Sequence, residues 1–183
     1  MKYTYQTVNN APDLIDGVVL HKLKINRDPR GSLTENMKAD WPDMMGASLP
    51  FGQNYLSVTQ PGFARDEEQL HNHPTKQTDR FVVIKGNAVF ALYDSRKESK
   101  TYGKLNLFLM GEKNGDDDQY VLLIPMNVYH GFTCVGDEPI YLLGFPDQVY
   151  DPAEEGRISF PDFQAKLEDG TPFSWQAIRD DFK

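Results

Sequence analysis

At 183 residues, with 39% hydrophobic and 25% charged residues, the chain has the size and apolar content of one ordinary globular domain, residues 1–183, and holds no apolar run long enough to cross a membrane. A formal charge of −8 with no local Lys/Arg block excludes general affinity for nucleic acid or an anionic membrane surface, but leaves room for a phosphate-bearing ligand held by one or two arginines. Cys134 stands alone and has no internal disulfide partner, and the N-terminus Met-Lys-Tyr-Thr-Tyr-Gln lacks the basic-then-apolar pattern of a secretory signal, so the expected compartment is the cytoplasm.

Short apolar segments follow one another along the chain at residues 18–25, 55–59, 81–84, 88–93, 105–110, 120–124 and 140–145. They are rich in Val, Ile, Leu, Phe and Tyr, and the breaks between them hold Gly, Pro, Asn and Asp, which predicts an all-β sandwich or barrel. Lys85-Gly86-Asn87 suits a tight hairpin, because Gly and Asn tolerate positive φ. The acidic runs Asp66-Glu67-Glu68 and Asp116-Asp117-Asp118 read as solvated loops. A short C-terminal helix is predicted over residues 174–182, with Ser174 as its cap.

The chemistry gathers between Leu70 and Gly86. In an extended His71-Asn72-His73, period-2 alternation turns both imidazoles to one face, and Pro74 ends the strand. Asp79 heads the next apolar segment, and Pro125-Met126-Asn127-Val128-Tyr129-His130 supplies a third imidazole just after a turn. Three histidines and a carboxylate, His71, His73, Asp79 and His130, form a suitable ligand set for Fe(II), Ni, Mn or Zn. The plainer alternative is a polar pocket in which the same groups hydrogen-bond to one another and to water.

These two segments resemble the two cupin motifs. Asp79 stands seven residues before Gly86 where the first motif has Glu, and Asn127 takes the Gly position of the Pro-x-Gly-x-x-His of the second. The resemblance implies a cupin double-stranded β-helix, a jelly-roll barrel, with the four side chains facing inwards near one end.

A longer likeness runs through Asp28-Pro29-Arg30-Gly31-Ser32-Leu33-Thr34-Glu35, Thr101-Tyr102-Gly103-Lys104, Ile124-Pro125, His130-Gly131-Phe132 and Tyr150-Asp151-Pro152. In that order the stretches are similar to those of the dTDP-4-dehydrorhamnose 3,5-epimerase family, over roughly residues 16 to 160. The resemblance implies that Arg30 and Glu35 hold a nucleotide diphosphate, often across a dimer interface, that Arg65 and His130 line the substrate site, and that His71 is the general base. Epimerisation beside a ketone needs a base and an acid on opposite faces of the sugar. The family's acid is a tyrosine. Counting from His130-Gly131-Phe132 puts Leu143 at its position, and counting back from Tyr150 puts Gly144 there. Tyr141, on the strand face of Leu143, and Tyr129 are the substitutes at hand. Two further departures stand out. Asp79 takes the place of the family's enolate-stabilising Lys, and the acidic residue that orients the catalytic His falls at Ala177. Arg65 is separated from His71 by the five residues Asp66 to Leu70, where the family has two.

Three functions follow as expectations: an epimerase or isomerase of a dTDP-linked 4-keto-6-deoxy sugar, needing no cofactor; a metal-dependent cupin oxygenase, isomerase or lyase of a small acid or ketone; and a non-catalytic small-molecule-binding cupin. A homodimer is implied by the family likeness.

Overall fold

The computed structural model describes residues 1–45 and 51–183. The strands are β1 (Val19–Lys22), β2 (Ile25–Asp28), β3 (Gly31–Thr34), β4 (Tyr55–Thr59), β5 (Ala64–Arg65), β6 (Gln69–Asn72), β7 (Asp79–Lys85), β8 (Asn87–Asp94), β9 (Leu105–Gly111), β10 (Tyr120–Ile124), β11 (Val128–Cys134), β12 (Ile140–Gly144) and β13 (Gly156–Ser159). Among the described residues three short α-helices accompany them: α1 (Pro42–Met45), α2 (Phe160–Phe163) and α3 (Trp175–Asp180). One sheet runs β1-β10-β7-β12-β4 and the other β13-β6-β11-β8-β9, with β5 also paired to β11, while β2 and β3 form a separate hairpin. All the named strand pairings are antiparallel. The architecture is the all-β jelly roll that the motifs imply.

Two stacked sheets need strands that bury one face between them, and the residues alternate accordingly. Phe81 and Val83 of β7, Phe90 and Leu92 of β8, Tyr120, Leu122 and Ile124 of β10, and Ile140 and Leu142 of β12 fill the space between the sheets. The central strands are covered on their outer faces too. Val89 and Ala91 meet Tyr3, Tyr5, Phe173, Trp175 and Ile178 from the two ends of the chain. Val82, Val121 and Leu123 lie with Leu23 and Met44. Burial on both faces explains why β8 and β10 read as continuous apolar runs rather than as alternating ones.

Six of the seven predicted segments coincide with strands to within a residue or two. The segment 18–25 does not: it is cut at Leu23-Lys24, where the Leu23 amide donates to the Gln119 carbonyl at 2.8 Å and the side chain is buried beneath the first sheet. Lys85-Gly86-Asn87 is a corner rather than a hairpin, because β7 and β8 belong to different sheets. Gly86 makes the corner at φ +75°, and a Cβ there would lie 2.5 Å from the Pro139 carbonyl oxygen. Strand β11, which carries His130, lies where only a turn and an imidazole were foreseen. Its Gly131 and Thr133 interrupt the apolar pattern, yet both are buried. The C-terminal helix is present as α3, and the Ser174 hydroxyl accepts from the Ala177 amide at 3.1 Å.

Candidate active site

β6 and β11 lie side by side with His71 opposite His130, so two imidazoles from distant parts of the chain come together with ring centroids 4.3 Å apart. His73 joins them from just beyond the end of β6, 5.6 Å from His71 and 5.8 Å from His130 by ring centroids. Asn127 closes the turn before β11 at φ 61°, a conformation Asn tolerates well. Its amide donates to the His73 carbonyl at 2.8 Å, and its Oδ1 accepts from Asn72 Nδ2 at 2.7 Å. That clamp joins the two histidine segments.

Asp79, at the head of β7, puts Oδ2 3.3 Å from His73 Nε2 and 3.4 Å from His130 Nε2, and Gln77 Nε2 donates to its Oδ1 at 2.9 Å. Burial alone would raise the Asp79 carboxyl, but hydrogen bonds and charge from His130 and His73 outweigh it and hold the group well below the ordinary carboxylate range. His73 is affected both ways: burial lowers it, and the Asp79 carboxylate more than reverses this. His130, fully enclosed, is lowered by burial above all. The ligand nitrogens of His71, His73 and His130 all lie within 4.8 Å of one another, so the donor set fits a single divalent cation. His73 Nδ1 faces the Glu154 carbonyl at 3.2 Å and His130 Nδ1 the Val128 carbonyl at 3.0 Å. Carbonyls only accept, so these nitrogens carry hydrogens, and the two Nε2 atoms converge on Asp79. Ring protons or a cation must fill that convergence.

His71 is held differently. Its Nδ1 lies 2.9 Å from Asp66 Oδ2, and Arg157 Nη1 donates to Asp66 Oδ1 at 2.7 Å. The hydrogen bond with His71, with a further contribution from Arg157, lowers the Asp66 carboxyl to about 2 against the cost of partial burial. An ionised carboxylate only accepts, so His71 carries its hydrogen on Nδ1 and leaves Nε2 basic. Asp66 itself sits at φ 65°, and its carbonyl accepts from Trp175 Nε1 at 2.9 Å. The longer segment between Arg65 and His71, three residues more than the family has, thus brings in an orienting carboxylate of the kind expected at Ala177, and α3 pins this loop through Trp175 instead. Asp66 is therefore not a freely solvated loop residue, as the acidic run had suggested.

The cavity beside these groups is about 720 Å³, within the range of small-molecule sites. His71, His130, Arg65, Phe81, Phe132, Leu142 and Tyr55 are among its walls. A lobe of about 360 Å³ extends to His73, Gln77 and Asp79. Arg65 is anchored in the wall, donating from Nε to Thr59 Oγ1 at 3.0 Å and from Nη2 to the Val58 carbonyl at 2.8 Å.

A family model described as dTDP-4-dehydrorhamnose 3,5-epimerase matches residues 13–178. The chain belongs to the dTDP-4-dehydrorhamnose 3,5-epimerase family. It is 36% identical over 148 residues to the probable low-salt glycan biosynthesis epimerase Agl13 of Haloferax volcanii, covering 80% of this chain and 88% of that protein. Similarity to the spore coat polysaccharide biosynthesis protein SpsL of Bacillus subtilis is 34% over 151 residues, covering 81% of this chain and 92% of the relative. Among solved structures, the dTDP sugar isomerase of Desulfovibrio desulfuricans G20 superposes with a TM-score of 0.70 at 26% identity, covering 88% of this chain and 92% of that one. Membership makes this protein an isomerase of the sugar-nucleotide epimerase type, and the non-catalytic alternative gives way to it.

Against that family's pattern, the structure brings together His71, His73, Asp79, His130 and Arg65 and leaves four other expected site residues outside the cavity. Arg30 is at the tip of the β2–β3 hairpin, 90% exposed at its side chain and paired with Asp28; Glu35 faces Lys38 at 3.7 Å. Tyr141 lies under Lys85 Nζ, 5.7 Å from its ring centre, at the end of β7 opposite to Asp79. Tyr129 alternates with His130 along β11 and packs on the outer face of that sheet. Neither tyrosine faces His71. Sequence reading missed Asp66, Arg157 and Tyr55; the first carried a signal, the unusual spacing between Arg65 and His71.

Proposed function

We propose that the protein epimerises a dTDP-linked 4-keto-6-deoxy sugar by removing a proton beside the keto group at His71 and returning one to the opposite face. The observation that carries this reading is the His71–Asp66–Arg157 chain: Asp66 fixes the Nδ1–H tautomer, so the basic Nε2 belongs to a side chain lining the cavity. Arg65, in the same wall, supplies a guanidinium for the diphosphate. Where the family pattern has an ammonium for the enolate oxygen, this chain has His73, whose cationic form the Asp79 carboxylate favours. The reaction is proton transfer and draws on no cofactor. We further infer a homodimer in which the β2–β3 hairpin carries Arg30 and Glu35 to the partner's cavity. This is supported by the hairpin's separation from both sheets and by the exposed Leu33, Leu56 and Val58, the last two on edge strand β4. A cytoplasmic site of action is supported by Cys134, a buried free thiol.

The test is incubation with dTDP-4-keto-6-deoxyglucose in deuterated water, before and after dialysis against EDTA. Ring protons flanking the ketone should exchange, and the rate should survive EDTA. Absence of both exchange and dTDP binding overturns the reading. The second reading, a metal-dependent cupin enzyme, is favoured by the three nitrogens within 4.8 Å of one another, and a rate lost with EDTA and restored by Mn, Fe, Ni or Zn would select it.

A further inference from the structure

Strand pairing settles which residue of β12 stands at the position of the family's tyrosine. Leu143 pairs with Val82, whose side chain lies on the outer face of its sheet, whereas Gly144 pairs with Phe81, which lines the cavity. Gly144 therefore faces the site and has no side chain to offer. Its partner on the other side is Tyr55 of β4. A Cβ built on Gly144 would lie 2.4 Å from Tyr55 Cζ and 2.7 Å from both Cε atoms. The Tyr55 ring thus occupies the space into which a side chain at 144 would grow, and Cζ, the atom nearest that point, bears the hydroxyl. Glycine at 144 is the condition for this placement.

Resting on the epimerase reading above, we propose that Tyr55 is the proton donor of the reaction, a phenol delivered from β4 into the place that β12 leaves empty. Tyr55 lines both the main cavity and its smaller lobe, and His71 lines both with it. The residue is 38% exposed. Burial of the phenol and the nearby Asp79 charge raise its pKa above the ordinary tyrosine value, and the opposing effect of Arg65 is smaller, so the group is protonated at neutral pH, as a donor must be. Tyr150, the other tyrosine of the cavity wall, is 54% exposed and gives its hydroxyl to Glu155 Oε2 at 3.3 Å. The step balances without a co-reactant. His71 Nε2 takes the C–H proton and the bonding pair moves onto the keto oxygen as an enolate. The enolate's carbon then takes the Tyr55 O–H proton on the opposite face, leaving a phenolate. The proton on His71 passes to water, and water returns one to Tyr55.

The experiment is Tyr55→Phe compared with wild type in deuterated water, following deuterium entry and epimer formation separately. Wild type should show both. Tyr55→Phe, with an unchanged thermal midpoint, should still take up deuterium with the original configuration retained, while epimer formation falls by about 100-fold. His71→Asn should lose both. A Tyr55→Phe protein that epimerises within tenfold of wild type overturns the proposal, and so does one that loses exchange and epimerisation together while folded. If Tyr55→Phe unfolds, Tyr55→Asn combined with Gly144→Tyr replaces it: recovered epimer supports a phenol at this place, and none from a folded protein overturns it. Wild type that neither exchanges nor epimerises sinks the epimerase reading itself, whereas failure of the tyrosine variant alone removes only the assignment of the acid.

Discussion

Asp66 illustrates how a residue's role depends on what the fold sets beside it. In sequence it heads an acidic triplet, the ordinary mark of a solvated loop. In the structure it is held between His71 and Arg157, and its left-handed backbone is locked by Trp175. Asp66→Asn should lower kcat at least about tenfold with a smaller change in KM, because an orienting partner of a general base acts mainly through the transition state. A pH signature accompanies it. The folded carboxyl is depressed to about 2, so its contribution to stability is fully present above the ordinary Asp range near 3.8 and is lost as pH falls through 2. The stability difference between wild type and Asp66→Asn, measured by urea unfolding, should be constant above about pH 5 and shrink steadily below pH 4; a difference that grows on acidification contradicts the pairing. His71, His73 and His130 were legible beforehand, since strand parity and turn spacing are local. Tyr55 was not, since it meets Gly144 across a strand pairing that no local pattern encodes, and Asp66, though only five residues from His71, reads as part of a solvated acidic run until its left-handed backbone turns it back onto the ring.

Among the elements, the corner at Gly86 and the strand β11 show what local pattern misses. A Lys-Gly-Asn between two apolar runs suits a hairpin, yet the chain there steps from one sheet to the other. Gly86 does so with positive φ and with Pro139 backbone against the site of its missing side chain. Gly86→Ala should therefore cost about 1–3 kcal/mol, from left-handed strain together with the clash. A urea midpoint equal to wild type would show that the corner relaxes. Strand β11 escaped prediction because its Gly131 and Thr133 broke the pattern by which strands are recognised; only its neighbours β6 and β8 show that it is a central strand.

For the whole molecule, the consequence concerns the hairpin β2–β3. By resemblance Arg30 takes a diphosphate-holding position of the family, yet in one chain its side chain is exposed and paired with Asp28. If the partner's cavity is its destination, Arg30→Ala should raise KM for the dTDP-sugar about tenfold or more while leaving kcat within a few-fold, the loss of a charge-assisted contact made equally in ground and transition states. Mixing Arg30→Ala with His71→Asn subunits should then recover about a quarter of the wild-type sites, since each fully intact site draws its base from one chain and its arginine from the other. A monomer by light scattering, or no recovery on mixing, contradicts the exchange.

By itself the sequence determined the fold class and the histidines that gather at one end of the barrel, because alternation, turn residues and motif spacing are properties of neighbours along the chain. Only the tertiary structure decided which carboxylate holds His71, which tyrosine shares its cavity and which candidates point away. The reason is that a strand's partner, and therefore the side chain opposite any residue, is set by burial summed over two sheets. Gly144 meeting Tyr55, and His71 meeting His130, are facts of register that no single segment contains.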